Sequence, residues 1–271
     1  MYLPTGSDRM EITPAQRSWA KEIKRAVEQD PDLDSASDFM YAQMAIASQM
    51  NPSDAEIPSI LDRFRMMQSI REESGCVDEY QQGCQLIDKL IRDLTFGSYL
   101  AFSYHVEEEA YVVTCDMTTF DMKVLSDPDK FKAWLASTYY LFHAFSPDFK
   151  ATRNGLIILA ECEGYHWKGA GMVQTKAFRK WWEDMALQYP LYVQRLKYFH
   201  SGLFLNLLLS TAKRFLPRHV QHRMEIGCQS EAGRLDTIFL QPTAEIAAKR
   251  LVGRFQETLR QFYNNQESFA L

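Results

Sequence analysis

Arg153-Asn154-Gly155-Leu156-Ile157-Ile158-Leu159-Ala160-Glu161-Cys162-Glu163-Gly164-Tyr165 is the stretch on which the fold turns. Its four consecutive apolar residues, Leu156, Ile157, Ile158 and Leu159, lack the alternation of a half-exposed strand. They predict a strand buried on both faces, as in a sheet covered by helices. Glu161 and Glu163 flank Cys162 just beyond the apolar run, and an extended chain would put both carboxylates on one face. Acid–base chemistry would require them to sit in unlike environments. A carboxylate past a strand end more commonly accepts from the backbone of a neighbouring loop, and no catalytic role is expected of the pair.

Outward from this strand, short apolar runs alternate with helical periodicity. Upstream, Ser126-Asp127-Pro128 opens a helix to about Phe145 that carries Leu135, Thr138, Tyr139, Phe142 and Phe145 at helical spacing. Before it, Tyr111-Val112-Val113-Thr114-Cys115 reads as a strand approached through the acidic turn Glu107-Glu108-Glu109. Downstream come a helix over about 172–187, a strand over 196–199 and an apolar helix from about Leu203. This alternation predicts an α/β fold with a mixed or parallel sheet and crossover helices.

The first quarter is helical. Thr13-Pro14-Ala15-Gln16 has capping-box spacing with Pro at the first helical position, and that helix runs to about Gln29. A second helix, opened by Ser37, ends at Asn51-Pro52. A third comes after the capping-box spacing of Ser53 and Glu56 and stops at Gly75. Leu86, Ile87, Leu90, Ile91 and Leu94 form one more stripe. The expected organisation is a helical lobe over 1–96 and an α/β domain over 97–271.

Composition excludes several classes. With 30 Lys plus Arg against 35 Asp plus Glu, the net charge of −5 argues against a nucleic-acid partner. At 46% hydrophobic and 24% charged, the 271-residue chain is of the globular kind. Its 17 Phe, 13 Tyr, 5 Trp and 12 Met supply soft, bulky material for an irregular core or an apolar cavity wall. The five cysteines show no paired spacing, so reduced thiols are expected. The start of the chain lacks the basic and apolar regions of a secretory signal. The most apolar run, 203–216, is broken by Asn206, Ser210, Lys213 and Arg214, short of the ~20 residues of a membrane span. A cytoplasmic protein is expected. No dinucleotide, Walker, nucleophile-elbow or zinc-protease motif is present. His219, His222 and Cys228 suggest no fourth ligand, so no metal site and no cofactor is expected.

The quoted stretch resembles the hallmark strand of CRAL-TRIO lipid-transfer domains, in which an Asn-Gly turn precedes an apolar strand ending in Asp-x-Glu-Gly and an aromatic. Tyr189-Pro190-Leu191, the strand over 196–199 and the segment 203–224 resemble the family's next turn, its next strand, its lipid-gate helix and the segment after that helix. The similarity is closest to the α-tocopherol-transfer and retinaldehyde-binding branch. Residues 37–75 resemble that family's helical lobe. Glu161 stands for the usual Asp, and His200 and Gly202 stand where Asn and Pro are common. The family's Leu-Pro-x-Glu-Tyr-Gly-Gly ending is not found.

The resemblance implies a CRAL-TRIO-like mixed sheet flanked by helices, and a non-enzymatic carrier that exchanges one hydrophobic molecule at membranes through a mobile gate helix. The ligand would be of tocopherol, retinoid, carotenoid or phospholipid type. Its expected contacts are Leu135, Thr138, Tyr139 and Phe142 on the helix, Ile158 and Ala160 on the strand, and Phe204, Leu205, Leu208, Leu209 and Ala212 on the gate. Thr138 and Phe142 stand where the tocopherol branch has small hydroxyl residues. Lys213, Arg214, Arg218, His219 and Arg223 form a basic cluster expected to meet an anionic membrane transiently, at about 1 kcal/mol per cation. An interaction module that keeps the fold but fills the cavity with rings such as Phe142 is the alternative.

Overall fold

The computed structural model describes residues 7–50, 56–77, 79–93, 100–105, 108–116, 127–162, 192–214, 218–228 and 244–271. The capping box at Thr13 forms as its spacing predicts. Thr13 Oγ1 accepts from the Gln16 amide at 3.1 Å and Gln16 Oε1 accepts from the Thr13 amide at 3.0 Å. Helix α1 spans Pro14–Gln29, α2 Asp38–Met50, α3 Ile57–Ser74 and α4 Tyr80–Asp93. Helix α3 starts behind Glu56 with no side-chain cap, and Ser53, the expected cap, lies outside the described residues. Its other end closes at Gly75, whose φ of 72° is the left-handed conformation a C-terminal glycine supplies.

Strands β1 (Leu100–His105) and β2 (Ala110–Asp116) form the antiparallel hairpin that the acidic turn anticipates. Then come α5 (Pro128–Phe145), α6 (Phe149–Asn154), β3 (Leu156–Glu161), β4 (Val193–Phe199), α7 (Leu203–Lys213), α8 (Arg218–Arg223), β5 (Met224–Cys228) and α9 (Ala244–Ser268). The helix expected over 172–187 lies outside the described residues. The five strands lie in the order β1-β2-β3-β4-β5, with every pair after the first parallel. The protein is therefore of the mixed α/β class. Parallel strands that advance in one direction through right-handed crossovers carry their connecting helices on one face of the sheet.

Register sets that face. Tyr111, Val113 and Cys115 lie opposite Leu156, Ile158 and Ala160, and Ile158 and Ala160 lie opposite Leu196 and Tyr198. Leu196 and Tyr198 in turn lie opposite Met224 and Ile226. The face is covered in two parts. Over β1 and β2 it joins a large core with α1 to α5 and α9, in which Phe102 stacks on Phe255 at 4.7 Å and on Tyr111 at 5.2 Å. Over β4 and β5 it meets α7. Ala110, Val112 and Ile157 are buried on the opposite face, so the central strand is covered on both sides as its unbroken apolar run requires.

The helices and the sheet converge on the short turn between α5 and α6. Asp148 is fully buried there. One carboxylate oxygen accepts from the Ala151 amide at 2.8 Å, capping α6. The other accepts from Arg9 Nε at 2.6 Å and from Gln261 Nε2 of α9 at 3.0 Å. Gln43 of α2 donates to the Ser146 carbonyl at 2.7 Å, and Asn265 of α9 donates to the Pro147 carbonyl at 2.8 Å. At the other end of α6, Gly155 has φ 78°, and a Cβ there would come within 2.4 Å of the Tyr192 ring and carbonyl. That contact lets the Leu156 amide donate to the Tyr192 carbonyl at 2.7 Å and seats β4 against β3.

Removing one member of a buried ion pair leaves the other charge unpaired in a low-dielectric interior, at about 3–5 kcal/mol. Asp148→Ala is expected to lower the urea-unfolding free energy by that amount. The double variant Arg9→Met with Asp148→Ala should lose clearly less than the two single losses combined. Strict additivity would show that the two side chains do not interact.

Candidate functional site

Parallel α/β sheets place ligands beyond the carboxyl ends of their strands. Here β3 and β4 end side by side, and the chain passes from β4 into α7 through His200, Ser201 and Gly202. His200 holds φ 47°, a conformation that asparagine and histidine tolerate better than most residues and β-branched residues tolerate poorly. Its imidazole Nδ1 lies 2.9 and 3.0 Å from the two carboxylate oxygens of Glu161. An ionised carboxylate only accepts, so Nδ1 carries the proton. Glu161 Oε1 also accepts from the Cys162 amide at 2.9 Å, and that amide reaches the Phe199 carbonyl at 3.1 Å. Glu161 thus bonds loop backbone and steadies the approach to α7; Glu163 lies outside the described residues.

Helix α7 is tied to β5 at both ends. Ser201 Oγ donates to Asn206 Oδ1 and accepts from the Gly227 amide at 3.1 Å. Gly227, at φ 74°, brings β5 so near that a Cβ would sit 3.3 Å from Asn206 Nδ2. At the far end, Lys213 Nζ donates to the Met224 carbonyl at 2.6 Å. Between these ties, Leu205 and Leu209 face the sheet and pack on Ala160, Cys162, Leu196, Tyr198 and Met224. Leu203 and Leu207, four residues apart and so on one side, are 91% and 68% exposed. Leaving two leucines in water forgoes about 1.5–3 kcal/mol each. The helix is apolar on the side facing the protein and on the side facing out.

The expected ligand contacts divide between the two apolar clusters. Ile158, Ala160, Leu205 and Leu209 come together under α7. Leu135 and Tyr139 lie in the large helical core, where Tyr139 packs edge-on to His143 at 4.5 Å, and Phe142 packs at that core's margin. Ile158 touches both clusters. The side chains of Thr138, Phe204, Leu208, Ala212, Arg218 and His219 lie outside the described set.

The basic cluster divides likewise. Lys213 is engaged by the Met224 carbonyl. Arg223 stacks on Tyr192 at 4.1 Å and donates to the Val193 carbonyl at 3.3 Å, and burial lowers its pKa. Arg214 is exposed. Four buried residues of the layer beneath α7 were not among the expected contacts: Cys162, Leu196, Tyr198 and Met224. Alternation from Leu196 points to Tyr198, since both must share a face of the strand. Met224 belongs to β5, whose strand character the sequence does not announce.

Among the described residues no group of three or more His, Cys, Asp and Glu side chains is placed to hold a metal, and no helix is long and apolar enough to cross a membrane. No family model and no curated protein matches this chain.

Positive φ at residue 200 makes a testable demand on side-chain type. His200→Asn and His200→Val both remove the imidazole, so their difference reports the backbone. The valine variant is expected to be less stable than the asparagine variant by about 1–2 kcal/mol in urea unfolding. Equal stabilities would mean that the turn is not held in the left-handed region.

Proposed function

We propose that this chain is a cytoplasmic, CRAL-TRIO-like carrier. It would hold one hydrophobic molecule between the sheet and α7 and exchange it at a membrane when α7 swings out. One observation carries this function: α7 presents Leu205 and Leu209 to the sheet and Leu203 and Leu207 to solvent. A buried helix needs only the first pair, whereas a lid that alternates between protein and lipid needs both.

The energetics of opening support the same function. Release breaks the Ser201–Asn206, Ser201–Gly227 and Lys213–Met224 hydrogen bonds, each worth about 0.5–1.5 kcal/mol net. Inserting Leu203 and Leu207 into lipid returns about 1.5–3 kcal/mol apiece. The two sums are comparable, so α7 stays shut in water and opens on a bilayer. Lys213 and Arg223 already serve backbone carbonyls, which leaves Arg214 as a cation free of such duty among the described side chains of that cluster. Membrane contact is then a general anionic attraction and not headgroup selection. The proposed exchange uses no catalytic residue, metal or cofactor.

The second possibility, an interaction module with a filled cavity, draws on the ring-rich helix α5. Tyr139, Tyr140 and His143 pack against one another and, through His143, on Phe262 at 4.3 Å. Rings on that side fill space and do not line it.

Extraction of the purified full chain with organic solvent, followed by mass spectrometry, should recover one hydrophobic molecule per chain. Recovery of none, with no uptake from a panel of fluorescent lipids, would favour the interaction module. The double variant Leu203→Asp with Leu207→Asp is expected to keep the wild-type melting temperature within about 2 °C and to lower intervesicle transfer at least about tenfold, because it charges a face that must enter lipid. Leu205→Asp should instead destabilise the fold, since that side chain packs on the sheet. Unchanged transfer by the outer double variant would remove α7 from the exchange step.

A further inference from the structure

The turn that joins β4 to α7 combines two features that depend on each other. Register places Glu161 of β3 opposite Phe199 of β4, and regular alternation would carry residue 200 to the other face of the sheet, away from that carboxylate. Instead His200 takes φ 47°, a left-handed conformation that is costly for a residue with a Cβ. There its imidazole Nδ1 lies 2.9 and 3.0 Å from the two carboxylate oxygens of Glu161. Strained backbone persists only where surrounding contacts hold it. The Glu161 contact is such a hold, and the strained turn pulls against it. The next residue transmits the state of the turn. Ser201 Oγ donates to Asn206 Oδ1 in the first turn of α7 and accepts from the Gly227 amide of β5 at 3.1 Å. A turn that lets go of Glu161 therefore displaces the residue that ties the lid to the sheet.

Imidazole is the side chain whose charge ordinarily changes between about pH 5 and 8. The Glu161 side chain is 17% exposed and that of His200 38%, so the contact is partly shielded from solvent. Asp116 of β2 holds the register position opposite Glu161. On β4 and β5, Lys197 pairs with Glu225 at 3.6 Å. The Cys162 thiol is buried on the other face, under α7. Helix α7 has no titratable residue before Lys213 at its far end. With Nδ1–H already on the carboxylate, a proton taken up at Nε2 turns a neutral hydrogen bond into a charge-assisted pair and leaves the geometry unchanged. Protonation strengthens the closed turn and not the released one. Falling pH therefore tightens the hold on α7, and rising pH slackens it.

We propose that His200 and Glu161 form a pH-sensitive catch on α7, which holds the lid shut in acid and lets it open near neutral pH. This regulation rests on the carrier function proposed above and acts on the same lid. It assigns retention of the carried molecule to acidic surroundings and exchange to neutral ones.

Amide hydrogen exchange of the full chain reads opening of the lid without any choice of ligand. Protection factors remove the intrinsic pH dependence of exchange. The amides of residues 207–213 are expected to be about three- to fivefold better protected at about pH 5.5 than at about pH 7.5, the range that an ion pair of this exposure supplies. The ratio should shrink towards unity in about 1 M salt. Amides of α1, which touches neither residue of the catch, serve as the reference and should show no such ratio. His200→Asn keeps a residue that tolerates the left-handed turn, and Glu161→Gln keeps an acceptor; each should bring the ratio of the lid to unity. A wild-type ratio of unity or of the opposite sense, or a ratio that survives either substitution, would overturn the catch. If solvent extraction recovers no ligand, the carrier function fails on that measurement and not on this one, because exchange reports opening whether or not anything is carried.

Discussion

A buried carboxylate organises this molecule. Asp148 lies out of water, and an ionised group in such a place must be met by a countercharge and by donors for its remaining lone pairs. Arg9 comes from the start of the described chain, the Ala151 amide from the helix that Asp148 itself caps, and Gln261 from near the end of the chain. These groups are far apart in sequence, and the cost of an unpaired charge forces them to one point. The helical segment and the sheet therefore share one continuous core, with α9 laid across both. The sheet hairpin is locked into that core by the Phe102, Tyr111 and Phe255 stack.

Rigidity on one side of the sheet permits a different arrangement on the other. The face over β1 and β2 is sealed by stacked rings. Over β4 and β5 the same face carries Ala160, Cys162, Leu196, Tyr198 and Met224 beneath α7, which among the described residues is tied to β5 by hydrogen bonds at its ends. Ile158 marks the seam, touching both clusters.

Much of the local structure is legible in the sequence because its causes are local. The Thr13 capping box, the Gly75 stop, the acidic hairpin turn and the unbroken run Leu156, Ile157, Ile158 and Leu159 each act within a few residues, and each appears where its pattern places it. The leucine-rich stretch from Leu203 is legible as an apolar helix. Which of its leucines face inward is not, because a helix that is apolar nearly all round has no strong preferred side. Strand β5 and helix α9 are not legible in the same way. Met-Glu-Ile-Gly-Cys is too short and mixed to declare a strand without the neighbour that completes its ladder.

From the chain alone come much of the succession of elements, the α/β class, the acidic balance that disfavours nucleic acid, and the position of an apolar helix after the strand over 196–199. The pairings come from tertiary packing. Lys213 and Arg223 form part of a basic patch in the sequence, and the fold gives both to backbone carbonyls. Tyr139 belongs by spacing to a candidate cavity wall, and the fold places it among rings in the helical core. Alternation puts Tyr198 on one face of its strand with Leu196, and only packing puts that face beneath α7. Propensity and capping depend on neighbours a few residues away. A hydrogen bond, an ion pair or a cavity depends on which distant groups share a volume from which water is excluded.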